Sequence, residues 1–112
     1  MITATYKIVA PAGQKENILE CLSSFMGPTE VKAGCMRCSI SQELEYPDVI
    51  IYTEEWLTER HLENHISSPR YLQLLTIIDL SAAEPEVRFQ TTTEIKGMEY
   101  IESIRLKNGG KG

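Results

Sequence analysis

The feature that most constrains this chain is the order in which its hydrophobic period switches between two residues and about 3.6. ITATYKIVA, residues 2–10, is rich in β-branched and aromatic residues and reads as a strand. Pro11-Ala12-Gly13 stops it. Ile18, Leu19, Leu22, Phe25 and Met26 then recur on one face of a helix, which Gly27-Pro28 is expected to end. Residues 34–45 alternate again, with Met36, Cys38, Ile40 and Leu44 on one face and Cys35, Arg37, Ser39, Ser41 and Glu43 on the other. Tyr46-Pro47-Asp48 is a turn, and VIIYTEEW (49–56) returns as the second arm of a hairpin. Thr58 is placed to cap a short helix reaching about Ile66, with Leu57 and Leu62 as a hydrophobic staple. Ser68-Pro69 signals another helix start, with Tyr71, Leu74, Leu75 and Ile78 as its buried stripe. EVRFQTTTEI (86–95) reads as the last strand. MEYIESIRL after Gly97 is read as a short helix, and KNGGKG as a loose tail.

The order is β-α-β-β-α-β, the split βαβ arrangement of an α+β, ferredoxin-like domain with an antiparallel sheet. Its bounds are 1–95, with 96–112 as a C-terminal extension. A chain of 112 residues fits one domain and can bury a core without staples. Helices cover only one face of such a sheet. A second copy is the simplest cover for the other, so a twofold homodimer is expected.

The formal charge of −5 repels phosphate backbones and anionic lipid, so neither nucleic acid nor membrane is an expected partner. There is no signal-peptide pattern and no apolar run of the roughly 18–20 residues a span needs. Three cysteines, an odd number, fit a reducing compartment, and a cytoplasmic location is expected.

Cys35-Met36-Arg37-Cys38 spells C-x-x-C. Redox pairs of this type sit at helix starts, and zinc sites need further ligands. In a regular strand an odd spacing sends the two side chains to opposite faces. Cys38 is therefore expected in the core, and Cys35 on the other side, lining a pocket or an interface. His61 and His65 have the i, i+4 spacing of metal ligands, but no third ligand is evident and no metal is expected.

Pro11 and Gly13 after the first strand, Gly34-Cys35 opening the second, Glu54-x-Trp56 ending the third, His65 on the next helix and then Ser68-Pro69 form an ordered set. That set, over roughly residues 2–95, resembles the antibiotic biosynthesis monooxygenase (ABM) domain family. The resemblance implies a dimeric α+β barrel of two ferredoxin-like protomers. It also implies chemistry drawn from cofactor-independent oxygenases of quinols and polyketide phenols, haem-degrading enzymes, and isomerases. Haem-degrading members carry an asparagine in the first strand and a histidine in the third helix. ITATYKIVA has no Asn and RYLQLLTIIDL no His, so haem chemistry is not expected.

The expected activity is oxidation of a quinol or polycyclic phenol by molecular oxygen without a cofactor. Such an enzyme must bind an aromatic ring, remove a proton and stabilise the anion. Trp56 is the candidate for ring packing, His65 for proton transfer, Glu54 for orientation and Tyr71 for oxygen stabilisation. Tyr52, Arg37 and Cys35 are candidate substrate contacts. An inward ionised Glu54 needs a partner, either Arg37 on the neighbouring strand or a backbone amide. Each candidate also has a reading in which it merely packs the core. The alternatives are a non-catalytic dimer that binds a small aromatic, and an isomerase indifferent to oxygen.

Overall fold

A computed structural model describes residues 1–109. Its elements are β1 (Ile2–Val9), α1 (Lys15–Glu30), β2 (Cys35–Gln42), β3 (Val49–Trp56), α2 (Glu59–Ile66), α3 (Tyr71–Ile78), β4 (Glu86–Thr91) and α4 (Met98–Lys107). The four strands form one antiparallel sheet in the order β2-β3-β1-β4. This is the ferredoxin-like α+β fold that the period switches predict. The tail expectation for KNGGKG falls partly on residues 110–112, outside the described residues. Among the described residues, no helix is long and apolar enough to cross a membrane.

Alternation decides which sheet face is covered. Ile2, Ala4, Tyr6 and Ile8 of β1 point inward with Ile50, Tyr52, Glu54 and Trp56 of β3, and all eight are buried. Ile18, Leu22 and Phe25 of α1 and Tyr71, Leu74, Ile77 and Ile78 of α3 close over them. A fully buried side chain of this size contributes roughly 1.5–3 kcal/mol, so this single layer carries most of the apolar stabilisation.

Four details depart from the sequence pattern. First, α1 does not stop at Gly27-Pro28 but runs on to Glu30. A proline inside a helix leaves the carbonyl four residues earlier without its donor. Here that carbonyl is Ser24 O, and Arg70 Nη2 donates to it at 3.0 Å. The same nitrogen reaches Phe25 O at 3.4 Å, and the Thr29 hydroxyl also donates there at 2.7 Å. Arg70 thus replaces the hydrogen bond that Pro28 removes.

Second, Ser68 does not cap α3, which begins at Tyr71. Its hydroxyl donates instead to His65 O at 2.7 Å. Third, Leu75 is 43% exposed and Ile77 takes its place in the buried stripe. Fourth, β4 ends at Thr91 rather than at residue 95. Thr58 does cap α2, accepting from His61 N at 3.2 Å.

Candidate functional site

The site is assembled where β3 ends beneath α2. Glu54 and Trp56 are two apart on β3, so both face the helices, as does Tyr52. His65 lies in the last turn of α2 and points down onto them. All four are 1% exposed or less.

Three donors converge on the Glu54 carboxylate. The Tyr52 hydroxyl donates to Oε2 at 2.7 Å, and His65 Nε2 lies 3.0 Å from the same oxygen. Trp56 Nε1 donates to Oε1 at 3.1 Å. On the far side of the imidazole, Lys32 Nζ is 3.0 Å from Nδ1 and donates to Ser68 Oγ at 3.1 Å. A lysine ammonium can only donate, so Nδ1 accepts, and the ring proton sits on Nε2 facing Glu54. The result is a continuous chain Lys32–His65–Glu54. The His65 ring is clamped by Trp56 at a centroid distance of 4.6 Å, by Tyr71 edge-on at 5.2 Å and by Phe25 at 5.7 Å.

The tyrosines near Glu54 are held neutral. Burial raises the pKa of Tyr52 well above the usual phenol range, and the Glu54 charge and hydrogen bond raise it further. Tyr6 is raised by burial first and then by the Glu54 charge. Burial also raises Tyr71, although its bond with Tyr6 works the other way. Held neutral, these phenols do not serve as bases.

The cluster opens to solvent through a recess of about 260 Å³ lined by Lys32, Ala33, Trp56, His61, Asn64 and His65. Gly34 shapes its edge. With φ at +81°, it is in the left-handed region, and a Cβ there would collide with the His61 side chain. The Gly34 carbonyl accepts from Leu57 N at 2.8 Å, which ties the loop to the end of β3.

Of the seven side chains the sequence singles out, the structure gathers Tyr52, Glu54, Trp56 and His65. Tyr71 touches the His65 ring, but its hydroxyl is 2.6 Å from that of Tyr6. Arg37 is exposed and sits opposite Glu55 on the other sheet face, so it is not the partner of Glu54. His61 turns to the Thr58 hydroxyl at 2.7 Å rather than toward His65.

Cys35 requires a correction. The β2–β3 register shifts between Cys35 and Arg37, leaving Met36 as the extra residue of a bulge. Cys35 lies opposite Trp56 and Cys38 opposite Glu54, so both thiols are on the inner face, 3.6 Å apart. The regular alternation that separates them does not hold through the bulge. Lys32 is the participant that the sequence does not signal. It stands alone in the loop after α1, outside any periodic pattern, and only the tertiary fold brings it to His65.

The sequence pattern of the family described as antibiotic biosynthesis monooxygenase matches residues 1–76. Solved structures similar to this chain include a conserved protein from Methanosarcina mazei, at 22% identity and a TM-score of 0.75, covering 82% of this chain and 92% of that one. A candidate antibiotic biosynthesis monooxygenase from Deinococcus radiodurans aligns at 17% identity and a TM-score of 0.79, covering 88% and 98%. A protein from Mycobacterium tuberculosis aligns at 14% and 0.76, covering 86% and 98%. At these identities the structures speak for the fold alone. No curated protein sequence matches the chain. With a family match spanning well over half its length and a fold to agree, the chain belongs to the antibiotic biosynthesis monooxygenase family.

Proposed function

We propose that this protein is a cofactor-independent monooxygenase that oxidises a small hydroquinone or phenol with molecular oxygen at the Lys32–His65–Glu54 recess. The observation that carries this reading is the aligned chain of three polar side chains beneath an indole ring at the floor of an open recess. Trp56, buried against the imidazole at 4.6 Å, backs the wall of the recess and holds His65 in place. Lys32 offers a positive charge where a phenolate oxygen would form, which favours the electron-rich anion that reacts with oxygen. His65 and Glu54 behind it hold the lysine in position and give a displaced proton a path inward. Ligand pockets commonly run ~300–1,000 Å³, so a recess of about 260 Å³ favours one- or two-ring substrates over larger polycyclic phenols.

A second reading has its own support. Both Glu54 oxygens and both His65 nitrogens already have partners within the protein, so the cluster would also serve a non-catalytic module that binds an aromatic. Oxygen uptake over a panel of hydroquinones, naphthols and anthrone-like phenols separates the two. The first reading expects uptake in the wild type, lost in the Trp56→Phe/His65→Ala double variant. Binding without uptake moves the assignment to the second. Turnover that is equal with and without air would instead indicate an isomerase.

The working unit is taken to be a homodimer across the open sheet face. Three features support it. Thr5, Lys7, Ile51, Glu86, Arg88 and Gln90 line an uncovered recess of about 410 Å³ there. In addition, α4 carries no buried residue, and the radius of gyration is 17.3 Å against the about 13 Å of a compact chain of this length. Sedimentation equilibrium tests it, and a monomer at micromolar concentration would count against it.

A further inference from the structure

The bulge in β2 creates a second chemical feature beside the Glu54 cluster. Gly34 turns the chain sharply into β2, and Met36 is left over in the pairing with β3. Cys35 and Cys38 are therefore brought to one face, with their Sγ atoms 3.6 Å apart and both side chains half-buried. Two thiols are too few to hold zinc, and among the described residues no third metal-ligating side chain joins them. A disulfide needs its sulfurs at about 2.05 Å, roughly 1.5 Å closer than they stand here. Cys21 on α1 makes the contrast clear, because its sulfur has only the Asn17 side chain, at 3.9 Å.

We propose that Cys35 and Cys38 form a reversible thiol–disulfide site that takes a low-molecular-weight disulfide as oxidant and a low-molecular-weight thiol as reductant. The Cys35 thiolate attacks one sulfur of the external disulfide, breaking its S–S bond and releasing one thiol. The Cys38 thiolate then attacks the Cys35 sulfur of this mixed disulfide. That closes the internal S–S bond and releases the second thiol. Two electrons and two protons pass from the protein to the oxidant.

Burial raises both thiols above their ordinary range, strongly so for Cys38, which makes Cys35 the first attacker and makes exchange faster as pH rises. The bond would reach the neighbouring site. Cys38 Sγ lies 3.7 Å from the Tyr52 hydroxyl that donates to Glu54, and Cys35 packs against Trp56. Pulling Cys38 toward Cys35 loosens its contact with Tyr52, so oxidation alters the surroundings of the Glu54 cluster whether or not that cluster is catalytic.

The test equilibrates the full chain in glutathione disulfide/glutathione buffers of increasing oxidant fraction, then alkylates and weighs it. Two of the three alkylatable thiols should disappear together, so that the oxidised chain carries one alkyl group instead of three. Emission from Trp56, the one tryptophan, should fall in step and return on adding a thiol. Cys21→Ser should behave like the wild type. Cys35→Ser should lose the fluorescence change and carry at most a glutathione adduct on Cys38. The proposal is overturned if all three thiols remain alkylatable in the most oxidising buffer, if the bond forms between chains, or if Cys35→Ser shows the same quenching.

Discussion

Replacing Glu54 tests whether the buried cluster holds the fold together as the geometry implies. Glu54→Leu keeps the approximate volume but removes the acceptor for Tyr52, Trp56 and His65. A buried donor left without a partner costs ~1–3 kcal/mol. The Tyr52 hydroxyl can rotate toward Cys38 Sγ at 3.7 Å, so it recovers part of its loss. Trp56 Nε1 and His65 Nε2 have no such alternative. Against this stands the relief of no longer burying a carboxylate, although removing one member of a buried polar cluster leaves its partners behind. The two uncompensated donors should outweigh it, for a net loss of about 3 kcal/mol. That corresponds to a melting temperature lower by roughly 10–20 °C. Glu54→Gln keeps one acceptor oxygen but turns an NH2 toward at least one of the donors, and should lose about 1–2 kcal/mol. Urea unfolding followed by Trp56 emission measures both. A Glu54→Leu variant as stable as the wild type would refute the reasoning, because the carboxylate would then be dispensable to its three donors.

Two further outcomes follow from the fold. Arg70→Ala should cost about 1–2 kcal/mol by uncovering the Ser24 carbonyl and losing the guanidinium 5.4 Å above the Phe25 ring, and in a Pro28→Ala background, where the backbone bond can re-form, the cost should shrink. Thermal unfolding of the four-protein cycle checks this, and equal costs in both backgrounds would remove the compensation argument. Stability should also fall at alkaline pH. Tyr6, Tyr52 and Tyr71 have folded-state pKa values raised above the ordinary 10.0, so their contribution is fully present below about pH 10 and is lost as pH rises beyond it, where the unfolded chain releases protons that the folded one keeps. Urea midpoints between pH 8 and 11, with Tyr52→Phe showing a shallower decline, read that directly.

What the sequence made legible follows from the range of the forces involved. Strand and helix order is a local property, and the period-2 runs on β1 and β3 identify both the elements and the buried face. Tyr52, Glu54 and Trp56 could be grouped because strand geometry alone puts them on one face. His65 was reached through the spacing of the family motif. Three of the misses are tertiary. Helix α1 outlasts Pro28 because the replacement donor, Arg70, comes from a distant part of the chain. The bulge at Met36 depends on how β2 pairs with β3, so the alternation rule separates Cys35 from Cys38 while the structure joins them. Lys32 sits in a loop with no periodicity, and nothing local marks it as the neighbour of His65.

The most direct measurement is nitrogen-15 NMR of the imidazole side chains during titration with a hydroquinone under argon. The chain has two histidines, and His65→Gln assigns the spectrum. His65 should be the tautomer protonated at Nε2, and its Nδ1 resonance should shift as ligand displaces or tightens the Lys32 contact at the recess. A His65 protonated at Nδ1, or resonances that stay fixed while the ligand saturates the protein, would contradict the Lys32–His65–Glu54 chain as the site of action.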